Sequence, residues 1–174
     1  MSPETGKTRS EKIIETVRKR KNPGKIIDVD EEKVKLVVFM LSDHYFAFYG
    51  AYVKEILPKT KISYVPGSPP FILGIINVRG DIESVLDING FLGLPLRTET
   101  SRDRVVIAAK NGVRSGILVD SVEDVLDVPA SSIKAPISTL NEEIKFFVIG
   151  ETDYKKNNVT VLDVGKVFKK ATFH

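Results

Sequence analysis

The sequence predicts a mainly β protein built from two pseudo-symmetric, five-stranded closed barrels. Three observations predict it. Short runs rich in β-branched residues recur along the chain, separated by Gly, Pro, Asn and Asp turn signals. The pattern is duplicated: Leu36–Phe39 corresponds to Val105–Ala108, and Val53, Ile56 and Leu57 correspond to Val122, Val125 and Leu126, both at an offset of 69. Val85-Leu86-Asp87-Ile88 corresponds to Val161-Leu162-Asp163-Val164 at an offset of 76, and Gly74 and Gly150 each precede their aspartate by 13. A duplicated sequence implies duplicated structural units, and many short strands with turn signals suit small barrels. The two offsets differ by seven, which predicts an insertion before Gly150, within Ala130–Glu143.

The first 32 residues stand apart. Residues 1–25 hold eight basic and three acidic side chains, a net +5, leaving the remainder at −2. Thr8 and Glu11 have capping-box spacing, Ile13, Ile14 and Val17 form a narrow apolar stripe, and Asn22-Pro23-Gly24 stops the helix these residues predict. The extension, 1–32, is therefore expected to be basic and partly disordered or helical. The body, 33–174, is expected to divide into a first barrel at about 33–96, a second at about 103–165 and a closing helix at about 164–171.

Within the body, Val34–Leu41 reads as a strand buried on both faces, Ser42-Asp43-His44 as a turn and Tyr45–Tyr49 as an aromatic strand. Val53, Ile56 and Leu57 fall at i, i+3 and i+4 and predict one helical turn, stopped by Pro58. Pro70–Asp87 is the stretch around which the first copy is organised. Its two β-branched runs flank Asn77-Val78-Arg79-Gly80, a hairpin that carries a long cation on its bend. Asn89–Leu94 is a short helical or irregular piece, and Pro95–Asp103 a polar connector. Val105–Ala109 and Val113–Val119 flank Asn111-Gly112, a tight-turn dipeptide. Val122, Val125 and Leu126 repeat the helical spacing. Phe146–Glu151 and Val159–Val164 are further strands, and Val164–Lys170 forms the closing helix with Val164, Val167 and Phe168 on one side.

The chemistry-bearing residues do not assemble into a catalytic pattern. There is no cysteine, and His44 and His174 are the only histidines, which leaves no thiolate or histidine-rich metal site. Asp87 and Asp163 fall in separate copies and read as helix caps. Asp43-His44 has no nucleophile tied to it. Gly74, Gly80 and Gly90 lack the Lys and Ser/Thr of a phosphate loop, and Asp28, Asp30, Glu31 and Glu32 lack calcium-loop spacing. No apolar run approaches the roughly 20 residues of a membrane span, and the N-terminal stretch lacks the apolar core of a signal peptide. A cytoplasmic, non-enzymatic binding protein without cofactor or metal is the expectation. The slightly acidic body argues against nucleic acid as its partner. An SH3-like-barrel protein binding nucleic acid through residues 7–25 is the alternative from another class.

Phe71-Ile72-Leu73-Gly74-Ile75-Ile76-Asn77-Val78-Arg79-Gly80 resembles a hallmark of the CheW family of bacterial chemotaxis adaptors, and Gly116-Ile117-Leu118-Val119-Asp120-Ser121-Val122-Glu123-Asp124-Val125-Leu126 resembles its second. The likeness runs from about Val34 to Lys170. It implies two five-stranded SH3-like barrels whose groove grips the cytoplasmic tip of a chemoreceptor. It also implies that the barrel ends pair with the regulatory domain of a CheA-type histidine kinase. The protein would then sit at the membrane only through the receptor array. The implied receptor groove includes Val53, Gly74, Arg79, Val105 and Val125, with Glu55 as the partner of Arg79. The same scaffold serving a non-flagellar chemosensory pathway is a second reading of the resemblance. The chain departs from the family at Glu83-Ser84, where an apolar residue and a proline are usual. This lies on the edge that the resemblance turns toward the kinase.

Overall fold

The computed structural model describes residues 31–137 and 139–172. The helix expected within the basic extension, and His174, lie outside the described residues.

Ten strands form two sheets of five. They are β1 (Lys33–Leu41), β2 (His44–Tyr49), β3 (Val53–Pro58), β4 (Ile72–Val78), β5 (Asp81–Leu86), β6 (Arg104–Lys110), β7 (Val113–Val119), β8 (Ser121–Pro129), β9 (Val148–Tyr154) and β10 (Asn157–Leu162). Among the described residues there are two short helices, α1 (Glu142–Lys145) and α2 (Val164–Thr172), and three 3-10 turns. The sheet orders are β8-β1-β2-β10-β9 and β3-β6-β7-β5-β4. Each position in one sheet is therefore filled by the duplicate of the strand at that position in the other.

This arrangement corrects the expected division of the body. The sheets do not separate at 33–96 and 103–165, because the leading hairpin of each copy pairs with the last three strands of the other copy. Sequence repetition reveals the unit but not which copy its hairpin joins. Nor do the sheets close into barrels. β8 and β9, and β3 and β4, remain unpaired edges. The chain leaving each sheet's first edge instead straps across its last, through single bridges at Ser63–Ile75 and Lys134–Glu151.

A second correction concerns the two helical turns expected at Val53/Ile56/Leu57 and Val122/Val125/Leu126. Both segments are strands, β3 and β8. Each carries a β-bulge: Lys54 is the extra residue against β6 and Glu123 the extra residue against β1. A bulge slips the alternation by one, which turns strand spacing into i, i+3 and mimics a helical period. Matching bulges also fall at Leu73 in β4 and Ile149 in β9.

Other expectations are met. All four hairpins turn on two residues with positive φ, Ser42-Asp43, Arg79-Gly80, Asn111-Gly112 and Lys155-Lys156, the geometry that suits the right-handed twist of paired strands. The segment between β8 and β9 carries a 3-10 turn and α1, whereas that between β3 and β4 has neither, which locates the inserted residues. Asp163 caps α2 by accepting the Lys166 N–H at 3.1 Å; Asp87, by contrast, does not cap the 3-10 turn at Gly90–Leu92, because it accepts the N–H of Asn89, the residue that occupies the cap position, at 2.9 Å. Val164, Val167 and Phe168 are buried as α2's apolar side.

Three apolar clusters hold the sheets. The largest takes side chains from both: Phe39, Phe46 and Phe48 from one, Val106, Ile117 and Leu86 from the other, with Val167 and Phe168 of α2. Each sheet also encloses a smaller core of its own, around Val38, Val159 and Val161 in one and Val85, Val105 and Leu118 in the other.

Candidate functional site

Arg79 occupies the first bend position of the β4–β5 hairpin with φ +53°, followed by Gly80 at φ +90°. An L-residue with a Cβ pays for that conformation. The bend is held locally by Asn77, whose Oδ1 accepts the Gly80 N–H at 2.8 Å. Across the sheet, Arg79 Nη2 donates to Glu55 Oε1 at 2.6 Å, with 80% of the arginine side chain exposed and only 19% of the glutamate's. Glu55 lies on β3 and Arg79 follows β4, so the ion pair ties the two free edges of one sheet. The guanidinium keeps donors for another acceptor.

Gly74 supports this edge. It is buried at φ +147°, and a Cβ there would lie 2.2 Å from the Ser63 carbonyl oxygen. The strap therefore runs against β4 only because no side chain intervenes. Gly150 takes the same part in the duplicate, where a Cβ would lie 2.4 Å from the Lys134 oxygen. Val53, half-buried at the start of β3, packs against the shared core. Val105 is fully buried and belongs to the enclosed core of its sheet; it backs the sheet and offers no surface. Val125 is 47% exposed on β8, an edge of the other sheet. Of the six residues singled out from the sequence, Glu55 and Arg79 are brought into contact. Val53 and Gly74 share their two edge strands, Val105 lies beneath, and Val125 belongs to the partner sheet.

That partner sheet carries an answering device. Asp124 and Lys155 are the duplicates of Glu55 and Arg79. Asp124 Oδ2 accepts the Tyr154 hydroxyl at 3.1 Å, tying β8 to β9. Lys155 stands over the Tyr154 ring, 5.2 Å from its centroid. Its ammonium is pushed above its ordinary range chiefly by the Tyr154 hydroxyl, with Asp124 adding to the effect. Tyr49 is also raised, first by burial and then by Tyr52 and Asp163, against an opposing influence from Lys110.

Sequence reasoning missed three groups. Ile56, which the offset of 69 pairs with Val125, is also exposed but was not placed with it in the candidate site. Ile82 and Val113 are exposed apolar residues at strand starts. Arg97, in the stretch read as a polar connector, is buried between Asp103 and Asp120, at 3.0 and 2.8 Å. Those contacts are ion pairs whose angles miss hydrogen-bond geometry. Asp120 also accepts the Ser42 N–H at 2.7 Å, so the connector is locked to the β1–β2 turn of the other sheet. Nothing in the sequence distinguishes Arg97 from a solvated arginine.

Fold and site together define an internally duplicated, mainly β protein that presents a tethered cation on a rigid edge. The chain belongs to the CheW-like domain family, whose model matches residues 35–172. It is 29% identical over 136 residues to the chemotaxis protein CheW of Bacillus subtilis, covering 78% of this chain and 87% of that protein. It is 26% identical over 136 residues to the probable chemotaxis protein CheW of Rhizobium etli, covering 78% and 88%. Among solved structures it resembles the scaffolding protein TtCheW of Thermoanaerobacter tengcongensis, with a TM-score of 0.70 and 27% identity over 79% of this chain and 88% of that one.

Proposed function

We propose that this protein is a non-catalytic chemotaxis adaptor that couples the cytoplasmic tips of chemoreceptors to the regulatory domain of a CheA-type histidine kinase. The observation that carries the reading is the Arg79–Glu55 pair. A largely exposed guanidinium is held on a strained bend by a mostly buried carboxylate. Exposed Ile56 on the same edge adds the apolar strip that helix-in-groove recognition uses beside a polar anchor. Under this reading Val53, Glu55, Arg79 and Val125 serve the receptor, Gly74 and Val105 hold that edge in shape, and each edge-strapped sheet acts as an SH3-like barrel.

The protein works in the cytoplasm, reaches the membrane only through receptors and needs no cofactor. Among the described residues no helix is long and apolar enough to cross a membrane. The test is titration of the full chain against purified fragments of the cognate receptor tip and of the kinase regulatory domain. Saturable binding of both is expected. Failure with both overturns the reading.

A further inference from the structure

A hollow of about 460 Å³ opens at the start of β1, lined by residues 33–35 and by residues 49–52 at the end of β2. Its size falls within the few hundred Å³ typical of ligand sites. Gly50 keeps it open: a Cβ there would lie 2.7 Å from Lys35 Cγ, so the lysine stem rests against bare backbone. The Lys35 ammonium lies 3.3 Å from Asp127, with both side chains more than half exposed. Lys33 is exposed and has no charged partner among the described residues. Tyr52 is fixed by Lys110, whose ammonium stands 4.5 Å from the ring centre and 3.4 Å from Asp163. Burial raises the Tyr49 hydroxyl above its ordinary range, with Tyr52 and Asp163 adding to the effect and Lys110 opposing it, so the phenol stays a donor. Neither tyrosine hydroxyl has a hydrogen-bond partner among the described residues.

The duplication shows what this place in the frame can hold. At the offset of 69 the lining maps onto residues 102–104 and 118–121, and there the place is filled. Arg97 lies buried 3.0 Å from Asp103 and 2.8 Å from Asp120, and donates to the Leu118 carbonyl at 3.3 Å. The duplicates of those three residues are Val34, Ala51 and Tyr49. Every residue that grips Arg97 thus has its counterpart in the wall of the hollow. The counterparts differ in charge. Both aspartates are replaced by apolar residues, whereas the flanking Arg102 and Arg104 persist as bases, Lys33 and Lys35. Ser121 becomes Tyr52. No carboxylate lines the hollow. A socket that holds a cation in one copy is left, in the other, with two cations, two phenols and an apolar wall.

We infer that this hollow is a binding socket for a carboxylate side chain, carried with apolar neighbours on an extended segment of a partner protein. Charge selects the side chain. The two ammonium groups and the phenols can all donate to a carboxylate, whereas a guanidinium would meet cations with no counter-ion. Val34 and Ala51 select its neighbours, since they offer nothing to a second buried polar group. The filled copy selects the form of the occupant, because there a single charged residue on a connecting segment plugs the socket. The hollow shares no residue with the Arg79–Glu55 pair, so it can be tested apart from that edge and from the adaptor role.

The probes are three end-blocked peptides, Pro-Leu-X-Thr with X glutamate, glutamine or arginine; the arginine form copies residues 95–98. The full chain, labelled for NMR, is titrated with each across a range of NaCl. The glutamate peptide should shift the amides of residues 33–35 and 49–52, bind at least tenfold tighter than the other two, and weaken as salt rises. Lys33→Ala/Lys35→Ala should lose that preference. Val34→Asp/Ala51→Asp restores the aspartates of the second copy and should reverse the order, so that the arginine peptide binds better than the glutamate one. A wild-type chain that takes up the three peptides equally, or none of them, overturns the socket, as does binding that leaves those amides unmoved. Should Val34→Asp/Ala51→Asp fail to fold, the exposed pair decides: an unchanged glutamate-peptide affinity in Lys33→Ala/Lys35→Ala overturns it equally.

Discussion

Arg79→Gly separates what the bend costs from what it does. Arg79 sits at φ +53°, and relieving a left-handed L-residue returns roughly 1–2 kcal/mol. Two losses oppose this gain. The Glu55 ion pair is exposed on the arginine side and contributes about 0–1 kcal/mol. Glycine also gains freedom in the unfolded chain, worth about 0.4–1 kcal/mol. The three nearly cancel, so the melting temperature should move by no more than about 3 °C, since 1 kcal/mol shifts a body of this size by roughly 2–4 °C. Receptor affinity behaves differently. Loss of a fixed guanidinium at an interface costs a hot-spot amount, about 2 kcal/mol or thirtyfold. Calorimetric titration against the receptor tip, paired with thermal melts, reads both numbers. Arg79→Ala keeps the strain and should bind as weakly while melting slightly lower. Receptor affinity within threefold of wild type for Arg79→Gly would refute the reasoning, as would a melting point lowered by more than 5 °C.

Gly74→Ala should cost at least about 2 kcal/mol, because the new Cβ meets the Ser63 carbonyl at 2.2 Å and neither backbone can yield freely; a urea midpoint equal to wild type contradicts the strap. Arg97→Ala strands the fully buried Asp103 and should cost about 3–5 kcal/mol, read in the same urea titration. Asp163→Ala should lose about 0.5–2 kcal/mol as a cap is removed from α2 without altering partner binding. Stability should be flat near neutrality with respect to Tyr49 and Lys155 and should fall in alkali. Tyr49 is raised above 10.0 and Lys155 above 10.5, so the folded state holds protons that the unfolded state has released. Melting temperatures from pH 8 to 11 check this, and Tyr49→Phe should soften the decline.

Where the sequence spoke locally, it was legible. Asn111-Gly112 announces its hairpin and Asp163 caps its helix, because each depends on neighbours a few residues away. The duplication was legible for the same reason, since matching offsets need no knowledge of contacts. The misreadings share one physical origin. The bulges at Lys54 and Glu123 shift an alternating pattern by a single residue, and a short strand with that slip has the periodicity of a helical turn. Which hairpin joins which sheet depends on pairings far apart in sequence, such as Met40 with Ser121. Arg97 gains its meaning only when Asp103 and Asp120 close around it. At the site, the Arg79–Glu55 pair was legible through resemblance, whereas burial removed Val105 from the surface.

Strand exchange explains why a duplicated protein this small suits a coupling role. Had each copy kept its own hairpin, two sheets could share only a face-to-face contact. Here β1 and β2 of the first copy are paired with β8 and β10 of the second, so each sheet draws strands from both copies. The shared core draws Phe39 and Phe48 against Val106 and Ile117, and Asp120 binds the Ser42 backbone across the sheets. The two edges are thereby kept rigid, and their equivalent positions became free to diverge. One sheet holds Arg79 on Glu55 and Arg114 on Glu83; the other holds Tyr154 on Asp124 and Tyr45 beside Val159. A single duplicated frame thus presents two chemically different edges, as the proposed joining of two unlike partners requires.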